Sequence, residues 1–140
     1  TASEMIRALL ESQTAGVLAT ASDTQPYANL VAFSFSEDLT CIYFVTPGDT
    51  AKYANLVRNP ACSLLVDRRS NDPADFSAGA AVTAVGRAVE ITGEEKISRL
   101  KSHLERLPGL AAFIGLPTIA LFRIFQPRFN VPRAVYFHLV

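Results

Sequence analysis

Ile42–Val66 reads IYFVTPGDTAKYANLVRNPACSLLV, and the way this stretch alternates strand, helix and strand decides the fold. The run Leu39–Thr46 is free of charge and rich in β-branched and aromatic residues, which predicts a strand. Pro47-Gly48 turns the chain, and Thr50–Arg58 is expected as a short helix with Tyr53, Leu56 and Val57 on one face. Asp49 or Thr50 serves as its N-cap. Asn59-Pro60 stops the helix, because a residue before proline is driven out of the α region, and Ala61–Val66 resumes as a strand. Lys52 is the odd residue. A cation in the first turn opposes the helix dipole at a cost of about 0.3–1 kcal/mol. Two readings account for it. Thr50 simply caps the helix while Lys52 extends into water. Alternatively, an anion such as a phosphate rests on the free N–H groups of the helix start and pairs with Lys52. In that case Thr50 donates its hydroxyl and Thr46 supports the strand end.

Outward from this unit, the chain reads as strands joined by hairpins. Thr1 and Glu4 have capping-box spacing ahead of a helix with Met5, Ile6, Leu9 and Leu10 on one face. Gly16–Thr20 is a short strand. Ser22–Pro26 carries turn residues, and a long strand runs from Tyr27 to Ser36, reversing at Glu37-Asp38 into Leu39–Thr46. That long strand sets Val31, Phe33 and Phe35 on one face and small residues on the other, a surface open to close approach by a ring or a second subunit. Asp67–Gly79 is a polar loop, and loops of such length are usually functional or disordered. Ala80–Ile91 is a strand. A second capping box, Thr92 and Glu95, opens a helix with Ile97, Leu100, Leu104 and Leu107 on its apolar face. Pro108–Pro117 holds a further helical turn, and Thr118–Phe125 and Arg133–Val140 close the chain as strands. Seven strand-like runs without βαβ alternation exclude a doubly wound parallel sheet. The expectation is one domain over residues 1–140, a small closed antiparallel barrel decorated by helices.

The composition suits this. The chain has 140 residues, and 13 Lys and Arg balance 13 Asp and Glu, so no charge excess points to nucleic acid or to a membrane surface. A hydrophobic share of 49% and a mean hydropathy of +0.22 supply a full core. Cys41 and Cys62 stand inside apolar runs without CxxC spacing and read as reduced core thiols. No run reaches the ~18 apolar residues of a membrane span and no signal-peptide pattern opens the chain. The expected setting is the cytoplasm.

Chemical signatures are sparse. GxGxxG, P-loop, GxSxG and HExxH patterns are all missing. His103 falls on the polar side of its expected helix and His138 in the last strand. Asp72 and Asp75 lie in the long loop. No metal site and no self-contained catalytic constellation emerges, and no catalytic residue is assigned.

The order QPYANLVAF, then Ile42–Val66, then VTAVGRAVEI resembles the pyridoxamine 5′-phosphate oxidase-like, FMN-binding split-barrel superfamily, over roughly Gly16 to Ile91. The resemblance implies a six-stranded antiparallel split β-barrel with peripheral helices, dimerising around FMN. It places Thr46, Thr50 and Lys52 on the flavin phosphate and the backbone of Asn29, Leu30, Val31, Ala32 and Ser34 along the cofactor. Ala51, Asn29 and Ser34 stand where the oxidases carry cations. The oxidases' C-terminal Arg-x-His segment is absent, and so is tryptophan, which sets this chain apart from the oxidases themselves. The loop Asp67–Phe76 is similar to a sister branch of FMN-binding proteins with haem-degrading relatives, and there Ser70 and Asn71 become candidate flavin contacts. The resemblance therefore implies an FMN-dependent oxidoreductase acting on a small molecule as a homodimer. The alternatives are a haem-binding or haem-degrading protein, a deazaflavin-dependent reductase, and a non-catalytic flavin-binding module.

Overall fold

The computed structural model describes residues 1–74, 80–115 and 118–131. Asp75, Arg133, His138 and the expected last strand Arg133–Val140 lie outside the described residues. Within them the order is α1 (Ala2–Ser12), β1 (Ala15–Ser22), β2 (Gln25–Phe35), β3 (Cys41–Pro47), α2 (Ala51–Arg58), β4 (Ala61–Arg68), β5 (Ala80–Ile91), α3 (Gly93–Arg106), a 3₁₀ turn (Pro108–Leu110), α4 (Ala111–Ile114), β6 (Ile119–Phe125) and β7 (Arg128–Asn130). The strands lie in the order β4-β1-β2-β3-β6-β5-β7, and an additional β4–β5 pairing closes the first six into a barrel. Every neighbouring pair among the described strands is antiparallel, as the hairpin-rich sequence predicts.

Two long strands change partners along their length. β2 pairs with β1 through Gln25–Ala32 and with β3 through Phe33–Phe35. β5 pairs with β4 through Ala80–Arg87, and with β6 through Ala88–Ile91. Gly86 sits at the β5 changeover, where a Cβ would stand 2.7 Å from Ile124 Cγ2; only glycine lets the strands approach so closely. The β2–β3 reversal is held by Asp38, whose carboxylate accepts from the hydroxyls of Thr40 and Ser36 and from the Thr40 amide. Those bonds, the Thr40 hydroxyl first, lower its pKa to about 2.

The barrel interior is filled by Leu18, Phe33, Ile42, Phe44, Leu64, Val66, Val82 and Ile124, with Ile6, Leu9 and Leu10 of α1 and Leu56 of α2 joining the same core. Met5 is the exception on α1, turned outward at 48% exposure. On α2, Val57 is exposed and Asn55 is buried in its stead, because Asn55 Nδ2 donates to Thr20 Oγ1 (3.2 Å) inside the barrel wall. Cys62 belongs to this inner core, whereas Cys41 lies in a second cluster with Tyr43, Val45, Ile91, Ile119 and Leu121. Both thiols are free and buried, as expected.

The second cluster lies on the outer side of β3, with Leu100, Leu110 and Phe113 packed on it. Here α3 departs from its apolar periodicity. Ile97 is 72% exposed, and a basic stripe carries the contacts: Lys96 Nζ donates to Ile119 O at 2.7 Å. The Arg99 guanidinium lies 4.6 Å from the Tyr43 ring centroid. Arg106 donates from Nη2 to Leu10 O and Gln13 O, both at 2.7 Å, and stacks over Phe33 and Phe35. Long basic side chains bury their stems while their charged heads meet carbonyls and ring faces. The expected Thr92–Glu95 box does not form: Thr92 makes no side-chain cap bond, and Glu95 pairs with Arg123.

Arg106 thus satisfies two terminal carbonyls of α1 while pinning α3 to β2. Arg106→Ala is expected to lower unfolding stability by on the order of 3 kcal/mol, by loss of charged hydrogen bonds. Arg106→Lys recovers only part, because one ammonium cannot both fork and stack. Urea denaturation of the three proteins checks this.

Candidate functional site

Strand β3 hands over to α2 through Pro47–Asp49, and Gly48 N donates to Thr118 O (2.8 Å), which ties the turn to the start of β6. Thr50 is the N-cap; its Oγ1 accepts from Tyr53 N (3.3 Å) and donates to Pro47 O (2.9 Å). Thr46 is fully buried, and its hydroxyl lies 2.9 Å from that of Thr50. It therefore supports the cap from within the wall rather than facing a ligand. Asp49 is exposed and does not cap. The amides of Ala51 and Lys52 stand ahead of the first intrahelical bonds and find no acceptor among the described residues. Lys52 is half-buried, and no hydrogen bond or ion pair to another described residue engages its ammonium. It shares its helix face with Asn55 and Leu56, at i+3 and i+4, which lays its stem against the barrel.

Beside this corner opens a cavity of about 290 Å³, lined by Leu30, Val31 and Ala32 of β2, Val45 and Pro47 of β3, Lys52, and Leu110 and Phe113 from beyond α3. Among the described residues its walls are apolar and Lys52 is the one charged residue lining it. The structure thus gathers Leu30, Val31, Ala32 and Lys52 around one space, with Thr46 and Thr50 immediately adjacent in the chain. Asn29 is half-buried opposite Leu18 in the β1–β2 register. Ser70 and Asn71 lie on the exposed loop after β4, where Ser70 Oγ donates to Asp72 Oδ2 (3.0 Å) and Asn71 adopts a φ of 63°; neither lines the cavity. Leu110 and Phe113 went unread in the sequence. The only signal was the short helical segment itself, since what brings it over β2 is packing between residues distant in the chain.

Ser34 is buried and its Oγ lies 2.6 Å from His103 Nδ1. The sequence set His103 on the polar side of α3. The structure buries it at 1% exposure: Leu100 and Leu107 pack inward as expected, and His103 shares that packed side with them. Its Nε2 has no partner among the described residues. Burial, and secondarily the nearby Arg106 charge, lower its pKa to about 4.

The closed six-stranded antiparallel barrel with this strand–turn–helix corner defines the split-barrel class. Residues 2–124 match the pyridoxamine 5′-phosphate oxidase family, and the chain belongs to that family. No curated protein matches it. Among solved structures it is similar to a protein of unknown function from Agrobacterium tumefaciens (TM-score 0.80, 21% identity, 92% of this chain and 56% of that one). It is similar also to a haem-binding protein from Mycobacterium smegmatis (TM-score 0.78, 20% identity, 94% and 57%). A third is an FAD-binding protein from Mesorhizobium loti (TM-score 0.73, 22% identity, 92% and 90%). The chain spans little more than half the length of the first two, and at these identities the likeness concerns the fold.

The His103 environment has a consequence for stability. Its folded pKa of about 4 lies below the ordinary 6.5, so the unfolded chain binds the extra proton first as pH falls. Its contribution is complete above pH 6.5 and is lost between there and about pH 4, amounting to about 3 kcal/mol over that window. The Asp38 contribution disappears lower, between about 3.8 and 2. Unfolding curves between pH 7 and 4 are expected to show the loss, and His103→Gln to flatten it.

Proposed function

We propose that the chain is an FMN-dependent oxidoreductase of the split-barrel type, with the flavin at a homodimer interface in the cytoplasm. The observation that carries the proposal is the apolar cavity next to a lysine at a helix start whose ammonium no other described residue engages. The residues present fit the cofactor: Lys52 Nζ and the N–H groups of Ala51 and Lys52 suit a phosphate, and Leu30, Val31, Ala32, Val45, Leu110 and Phe113 offer apolar walls to a ring system. When bound, the flavin supplies the electron chemistry. The chain's own residues bind, orient and exclude water. Thr46 and Thr50 brace the corner, Asn29 extends the β2 wall, and Ser70 and Asn71 reach the cofactor only from their loop. The hydroxyl of Ser34 is engaged with His103, which leaves its backbone for the cofactor.

A second copy fits the outer face of the barrel. Leu30, Val17 and Leu65 align across β2, β1 and β4, and Leu30 is 74% exposed beside the cavity. Ligand pockets usually span ~300–1,000 Å³, so a partner that covers this row would complete a small half-site. The buried free thiols suit a reducing compartment, and among the described residues no helix is long and apolar enough to cross a membrane.

Haem is the second reading, favoured by the likeness to the haem-binding protein and by the apolar cavity. Of the two histidines, His103 is buried and held by Ser34, so it is poorly placed as an axial ligand; His138, the candidate ligand, lies outside the described residues.

Purified protein is expected to be yellow, or to become so on adding FMN, with a flavin absorption spectrum. Lys52→Ala is expected to weaken FMN binding roughly 10- to 150-fold, the effect of removing a charged hydrogen-bond partner. An unchanged affinity in a fluorescence titration would place the phosphate elsewhere. A tighter deazaflavin titration would favour that cofactor, a Soret band after haem addition would favour haem, and colourless protein that takes up none of them would leave a non-catalytic module.

A further inference from the structure

Lys52 owes its direction to the roll of α2, and two polar contacts from neighbouring positions of that helix hold the roll. Tyr53 Oη donates to Glu90 Oε1 of β5 at 2.9 Å, and its ring meets Phe122 edge-on at 5.8 Å. Asn55 Nδ2 donates to Thr20 Oγ1 of β1 at 3.2 Å. Residues two apart on a helix point about 200° apart, so these bonds grip α2 on opposite flanks, with Leu56 seated in the core between them. Side-chain tips stand about 5–6 Å from a helix axis, so a roll of about 20° would carry the Lys52 head about 2 Å from the cavity. Leu56 alone is a weak guard against this, since apolar contact is non-directional.

We infer that Tyr53 and Asn55, through Glu90 and Thr20, are positioning residues that aim Lys52 into the cavity for an anionic cofactor group. This rests on the flavin reading above and assigns a role to α2 residues that do not line the cavity and to their partners on β5 and β1. Glu90 is suited to the task as a carboxylate. Its carboxylate oxygen accepts from Tyr53 Oη, and that bond, in the first place, raises the Tyr53 pKa.

The test has two arms, with Tyr53→Phe as the probe because it removes the hydroxyl and keeps the ring on Phe122. In the flavin-free protein, the rate at which a small acylating reagent modifies Lys52, read by peptide mass spectrometry, is expected to rise in Tyr53→Phe. It is expected to remain near the parent value in Glu90→Gln, whose amide oxygen still accepts. In the FMN titration, Tyr53→Phe is expected to weaken binding about fivefold, less than outright loss of the lysine because a misaimed ammonium keeps part of its attraction for the phosphate, and to add nothing in a Lys52→Ala background. Unchanged labelling together with unchanged affinity overturns the inference. So does an affinity loss of equal size with and without Lys52, which would mark a general loosening of the fold. If the parent protein takes up no FMN, the flavin reading fails and the labelling arm alone decides the positioning role.

Discussion

β3 is apolar on both faces, and the remainder of the molecule is arranged around that constraint. Ile42 and Phe44 enter the barrel, while Cys41, Tyr43 and Val45 face outward into a second cluster. A strand that is hydrophobic on both sides has to be covered on both. The barrel covers the first. The second forces the chain after β5 to return as α3, the 3₁₀ turn and α4 across the outer surface. The cavity lies where that cover meets the end of β3, with Val45 and Pro47 on one side and Leu110 and Phe113 on the other. Its position follows from the two-faced strand, and the adjoining helix start supplies the charge.

The outer cover is made in an unusual way. α3 turns Ile97 to solvent and applies Lys96, Arg99, His103 and Arg106 to the sheet. Each head group finds a carbonyl, a ring face or a hydroxyl, which makes the contact directional where leucine packing would slide. Arg106 binds two carbonyls at the end of α1 in addition to the rings of β2, so the first and third helices are fixed to each other through one guanidinium. The wall that Leu110 and Phe113 give the cavity inherits its position from these contacts.

Much of the fold was legible because local and global preferences agree. The uncharged run into Thr46, the Asn59-Pro60 stop and the strand from Ala80 to Ile91 each point to the structure they adopt. The strand–turn–helix corner was legible through the Pro47-Gly48 turn and the Thr50 cap. What escaped has a common physical origin. On α3, Leu100 and Leu107 pack as their spacing suggests and Ile97 does not; the packed side also takes in Arg106, which periodicity counts as polar although most of its length is hydrocarbon. His103 was misplaced in the same way. Val57 lost its expected place to Asn55, whose amide has a buried partner on β1 that no local pattern reveals. β7, only three residues long, lies below the length at which alternation can be read. Leu110 and Phe113 joined the cavity through contacts that the sequence does not encode locally.

Closure of the barrel through the β4–β5 pairing limits how copies of this chain can meet. Each of the first six strands has a neighbour on either side, but among the described residues β2 pairs through Gln25–Ala32 with β1 alone and meets β3 only at Phe33–Phe35. This half-strand keeps one row of backbone donors and acceptors open, the kind of edge on which another chain could template itself. Leu30 stands on the same half-strand and is 74% exposed, so a single bulky or charged side chain there would change the outer face without disturbing the hydrogen-bond ladder to β1 beneath.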